Sequence, residues 1–190
     1  MKKGAIIGIA ALAVVLIAVI SLIGGYNDLV EKNENVETKY SDISVQLERR
    51  ADLIPNLVST VQGYMKHEEK IIESVTTARE NLVNAKSLTD KAKANEELTV
   101  SLNNLIAVVE NYPDLKANTN FINLQDELAG TENRIAVARK DYNDTVSTYN
   151  KAIKSFPKNL LASMFNFEDK EYFEATSTAN EVPNVSFNED

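Results

Sequence analysis

Few residues in this chain could do chemistry. His67, in "KHEEK", is the single histidine among 190 residues, and there is no cysteine. A zinc site needs more nitrogen or sulfur ligands than one imidazole supplies. A di-iron bundle wants a glutamate three residues before each of two histidines; Tyr64 stands at that place and no second histidine exists. His67 therefore reads as a partly exposed helix residue. Without cysteine there are no disulfides, thiolate ligands or thiol nucleophiles. Serines are common, but one histidine is the only candidate base, and neither a Gly-x-Ser-x-Gly elbow nor a phosphate-cradling glycine loop occurs. Asp126, Glu127 and Glu132 lie near one another in sequence, and hydrolysis by carboxylates alone would need them paired in a cleft with shifted pKa values. The chain reads as a non-enzyme with no cofactor and no metal.

The sharper signal is "QLERRADLIPNLVSTVQGYMKHE", residues 46–68, where an apolar rhythm admits two arginines and a proline. Counting on from Ile43 and Leu47 puts Arg50 and then Ile54 on the same helix face. A buried arginine needs a partner, because leaving it unpaired costs several kcal/mol. Downstream, "DELAGTENR" offers Glu127, Glu132 and Asn133. The four residues Arg50, Glu127, Glu132 and Asn133 form a candidate polar seam. It is either an internal ion pair fixing helix register or a site for a ligand. A pocket lined by Arg50 would favour the ligand; a filled core would favour the structural role. The run "NYPDLKANTN" reads as an ordered loop with Asp114 and Asn118 as candidate caps.

These residues need helices to hold them. Six glycines and four prolines in 190 residues leave room for long ones. Apolar residues recur every three or four positions in four stripes. The first is Tyr26, Leu29, Val36, Tyr40, Ile43, Leu47. The second is Ile54, Leu57, Val58, Val61, Tyr64, Met65, then Ile71, Ile72, Val75, Ala78, Leu82 and Ala85. The third is Leu98, Leu102, Leu105, Val109, Tyr112, and the fourth runs from Phe121 to Tyr149. No segment alternates long enough for a strand. Ser87 to Asp90 supplies a turn with N-caps, Pro113 ends the third helix and Pro157 the fourth. Narrow stripes with polar flanks suit a coiled-coil-like antiparallel seam. Pro55 costs roughly 3 kcal/mol inside a helix but fits a first turn. That predicts a corner at Pro55, the alternative being one bent helix over 26–87.

Ahead of the stripes, Gly4 to Ile23 is twenty residues without a charge, preceded by Lys2 and Lys3. At about 1.5 Å per residue this spans a ~30 Å hydrocarbon core. An uncleaved membrane anchor is the preferred reading; cleavage near Gly24-Gly25 and a buried soluble helix are the alternatives. The two lysines place the N-terminus in the cytoplasm and the rest outside, with Lys32 and Lys39 weakening the bias. Beyond residue 26 there are 18 positive against 28 negative charges. Such a domain is repelled by nucleic acid, which is excluded as a partner.

The fragments "RRADLIPNLV", "ENYPDLKAN" and "ELAGTENRIAVAR" resemble the LemA family, and the likeness covers nearly the whole chain. The resemblance implies a membrane-anchored up-and-down helical bundle without enzymatic activity, some relatives being associated with membrane organisation or membrane protease and stress systems. Two departures stand out: Tyr40 where tryptophan is more usual, and Asn166 in "FNF" where glycine is commoner. The latter puts the C-terminal turn in question. Similar proline-valine-phenylalanine endings recur in the family. Here Pro183, Val185 and Phe187 alternate along an acidic tail, suited to adding a strand to a partner's sheet edge.

The expectation is thus an all-α protein: an N-terminal transmembrane helix followed by an antiparallel up-and-down four-helix bundle. Its parts are an anchor over 1–26, a bundle over 27–173 and a flexible acidic tail over 174–190. The function expected is a single-pass, non-catalytic scaffold in the cell membrane that recruits other membrane-associated proteins. The alternative is a bundle sensing a ligand or lipid at Arg50.

Overall fold

The computed structural model describes residues 2–174, and within them every regular element is helical. In order these are α1 (Lys2–Gln62), α2 (Glu69–Asn84), α3 (Leu88–Val109), α4 (Pro113–Lys116), α5 (Thr119–Lys154) and α6 (Lys158–Phe165). They form two compact units, one from Met1–Ser41 and Lys140–Tyr172, the other from Asp42–Arg139 and Phe173–Asp190. α1 and α5 contribute to both.

The second unit is an up-down-up-down four-helix bundle. Its core is built from the stripes: Ile43, Leu47, Ile54, Leu57 and Val61 on α1, Val75 and Leu82 on α2, Leu98, Leu102 and Leu105 on α3, and Phe121 and Ile135 on α5 are all buried. Ser87 caps α3 by accepting from the Asp90 N–H at 3.0 Å, and Asn118 caps α5 by accepting from the Phe121 N–H at 3.1 Å. Pro113 sits in the first turn of α4, where a missing N–H costs nothing.

The corner predicted at Pro55 is absent. α1 continues through it to Gln62, and the chain turns instead over residues 63–68. The physical reason lies opposite. A proline at position 55 cannot donate to the carbonyl four residues back. That carbonyl, on Ala51, accepts from Arg79 Nε of α2 at 2.8 Å. The neighbouring helix supplies the bond that proline removes, and the exposed ring faces outward. The real turn was marked by Gly63 and by the five-residue gap between Met65 and Ile71 in the second stripe.

The first unit packs Leu29 and Val36 of α1 and Val146, Tyr149 and Ile153 of α5 with Leu161 of α6. Beyond α6, Asn166 adopts φ 55°, ψ 43° and closes the helix in the left-handed conformation. Asparagine tolerates this region better than other side chains, so the turn survives without glycine. The following segment runs back along α5. Asn150 pairs with both backbone groups of Lys170 at 2.9 Å, and the Tyr142 hydroxyl donates to the Glu171 carbonyl at 2.9 Å. Burial, aided by Glu37, Tyr40 and Glu171, pushes the Tyr142 hydroxyl's pKa up to about 12, so it stays a donor.

Candidate functional site

In the bundle unit, α1 runs parallel to α3 and antiparallel to α5, so three helices can converge on one α1 side chain. That side chain is Arg50, 3% exposed. It follows Leu47 by three residues and precedes Ile54 by four, which sets it in the inward row. Its Nη1 donates to Asn95 Oδ1 of α3 at 2.5 Å and lies 2.6 Å from Glu132 Oε2 of α5. The Glu132 contact is an ion pair rather than an aligned hydrogen bond. Burial lowers the Arg50 pKa, and the Glu132 charge opposes that shift. Arg50 Nε and Gln46 Oε1, one helical turn apart, are buried without hydrogen-bond partners.

Beside this cluster is a cavity of about 220 Å³. Arg50, Glu132, Thr99 and Gln125 give it a polar side, and Leu57, Leu102, Leu105, Phe121 and Leu128 an apolar one. It could take a small amphiphile, apolar body inward and an acceptor toward the guanidinium. A second, larger feature is an open groove of about 710 Å³ between α2 and α3. Ser74 and Ser101 meet there, oxygen to oxygen at 3.0 Å, and Lys70, Glu73, Lys93 and Glu97 also line it.

The polar seam read from sequence is changed in membership. Arg50 and Glu132 come together as expected. Glu127 instead pairs with Arg49 at 2.9 Å, both side chains about half exposed, and Asn133 faces solvent. Each helical residue turns about 100°, so Asn133 rotates off the face Glu132 holds, and Glu127 lies about 140° round from it. Asn95, 4% exposed, was missed, although the third stripe carried back three residues from Leu98 lands on it. Asp126, Glu127 and Glu132 do not converge: Asp126 is exposed, and the other two face separate arginines. His67 is exposed in the turn between α1 and α2, not on a helix. Among the described residues no group of three or more His, Asp or Glu could hold a metal ion. Pro183, Val185 and Phe187 lie outside the described residues.

At the other end of α1, none of the strongly apolar window is buried, and the helix is long and apolar enough to cross a membrane.

The model of the LemA family matches residues 39–187. The chain is 29% identical over 196 residues to Magnetosome protein MamQ 2 of Paramagnetospirillum magneticum, covering 90% of this chain and 72% of that one. To Magnetosome protein MamQ of Magnetospirillum gryphiswaldense it is 27% identical over 179 residues, covering 80% and 66%. To Protein LemA of Metamycoplasma hominis it is 23% identical over 155 residues, covering 81% and 71%. The exposed apolar helix and these relatives together indicate a membrane-associated protein. With most of its length inside one family model, the chain belongs to the LemA family.

Proposed function

We propose that this protein is a single-pass, non-catalytic adaptor that presents a helical bundle to other membrane-associated proteins, with the bundle outside the cytoplasm. The observation that carries the reading is the course of α1. It passes through the uncharged run, whose large apolar side chains are exposed, and continues unbroken to Gln62, contributing Ile43, Leu47, Ile54 and Leu57 to the bundle core. A helix exposing that many apolar side chains is suited to lipid. The α2–α3 groove supports a docking role, with small hydroxyl-bearing residues and charges of both signs in its lining. The acidic balance makes protein partners more fitting than nucleic acid. Relatives carrying the name magnetosome protein are consistent with a role in organising a cellular structure. The test places a photo-reactive amino acid at Val100 or Thr77 in the groove and irradiates intact membranes. The same discrete protein adduct should appear from both positions and not from exposed Val137. Membranes yielding no adduct at either groove position would refute the adaptor.

The second reading, a ligand-sensing bundle, is favoured by the cavity beside Arg50. The core is not filled there, which is the condition that separates the two readings. Native mass spectrometry of the protein released from its own membranes tests it. A co-purifying species of a few hundred daltons should be lost in Leu102→Phe, which fills the cavity. An unliganded mass throughout would remove this reading and leave the adaptor standing.

A further inference from the structure

The first unit carries an apolar surface that its own fold leaves uncovered, where α1 emerges from the uncharged run. α6 lies directly against α1. A Cβ built on Gly25 would come within 2.9 Å of Leu161 Cδ1, so glycine permits this approach. The Tyr26 and Phe165 rings are 4.7 Å apart, and Lys158 Nζ donates to Asp28 at 2.7 Å. These contacts hold α6 beside residues 25–28, within ~8 Å along the helix of Ile23 at 1.5 Å per residue. Leu161 and Ala162 point inward. Leu160 and Met164, one turn apart, point outward at 57% and 71% exposure, and Phe156, in the turn ahead of α6, is 81% exposed. Phe156 and Met164 are more exposed than any large apolar residue described in the uncharged run itself. Single exposed apolar residues are ordinary, but a contiguous row marks an interaction surface.

We propose that α6 is an interfacial helix whose Leu160 and Met164, together with Phe156 in the turn before it, insert into the boundary between lipid headgroups and acyl chains. The proposal rests on the anchor reading of Gly4–Ile23. Lipid is the fitting occupant because the contacts with residues 25–28 set α6 just past the exposed apolar stretch of α1, so one bilayer covers both. Tyr26 stands at that boundary, where amphipathic rings concentrate. The attraction is apolar rather than electrostatic, since Lys154 and Lys158 are already paired with Asp169 and Asp28. Insertion should therefore be indifferent to salt and to anionic lipid. It would fix the rotation of α1 about its axis, because one side of the helix is pinned to the membrane plane.

The chain has no native cysteine, so single labels are unambiguous. Leu12→Cys, Leu160→Cys, Met164→Cys and Ser41→Cys forms of the full chain carry a bimane label in zwitterionic phosphatidylcholine vesicles. Quenchers are a lipid with a shallow acyl-chain nitroxide and, separately, iodide on both sides of the bilayer. Lipid quenching several-fold above background is expected at positions 12, 160 and 164 but not at 41, unchanged between low and high salt. Met164→Glu should reduce lipid quenching at position 160 several-fold and leave position 12 unaltered. If position 12 is quenched while 160 and 164 respond to iodide, the face is in water; the proposal fails and the anchor stands. If 160 and 164 are shielded from both quenchers, a second copy of the chain covers the face, and the proposal fails again. If position 12 is not quenched by lipid, the anchor itself is wrong and the proposal falls with it.

Discussion

Arg50 shows how one residue's burial decides what its partners contribute. The guanidinium is 3% exposed as a residue, while the Glu132 side chain keeps 40% of its surface. The two halves of the pair are therefore unequal. Glu132→Ala strands a buried cation and should destabilise the bundle by about 3–5 kcal/mol. Arg50→Met leaves a carboxylate that can rehydrate and fills the space with an apolar stem but strands the buried Asn95 oxygen, so it should cost about 1–3 kcal/mol. Arg49→Ala removes a pair exposed on both sides and should cost less than about 1 kcal/mol. Chemical denaturation of the three variants checks the order. Equal losses for Glu132→Ala and Arg49→Ala would show that Arg50 does not depend on its counter-charge.

Among the elements, α1 and α6 each carry a cross-helix bond that can be tested by itself. Arg79 replaces the hydrogen bond that Pro55 denies Ala51, so Arg79→Ala should cost about 1–2 kcal/mol. Pro55→Ala restores an N–H to that carbonyl and makes Arg79 dispensable. In the double variant the cost of Arg79→Ala should fall by at least half, which a double-mutant cycle measures directly. An unchanged cost would mean that Arg79 acts through packing alone. At the other element, hydrogen bonds from Lys158 and Lys32 hold the Asp28 carboxyl below its ordinary value of 3.8, with burial opposing them. A depressed carboxylate stabilises fully above its unfolded pKa and loses that contribution as pH falls through the folded one. Wild type should therefore melt above Asp28→Asn at pH 6, and the difference should shrink as pH falls below 3.8 and disappear once the folded carboxyl is protonated. A gap that persists in acid would exclude the ion pair as its source.

For the whole molecule, the question is how the chain meets the membrane. The intact protein should resist extraction by high salt and by carbonate, since among the described residues none buries the uncharged stretch of α1. Asn27→Cys and Asp90→Cys, both at exposed positions, should react with an impermeant maleimide in whole cells. Protection at both sites would reverse the orientation, and release into the soluble fraction at full length would end the anchor reading.

Much of this was legible from residue types and spacing alone. The uncharged run, the four apolar stripes, the caps at Ser87 and Asn118, and the inward phase of Arg50 all follow from local geometry, which repeats every 3.6 residues whatever the surroundings. Tertiary structure decided what depends on a neighbour. Pro55 could remain inside a helix only because Arg79 of α2 reaches Ala51. Glu132 rather than Glu127 faces Arg50 because the rotation of α5 against α1 selects it. α6 was not legible because eight residues make barely two turns, too few for a stripe to repeat. Sequence periodicity reports which side of a helix turns inward; which atoms meet there depends on packing between residues far apart in the chain.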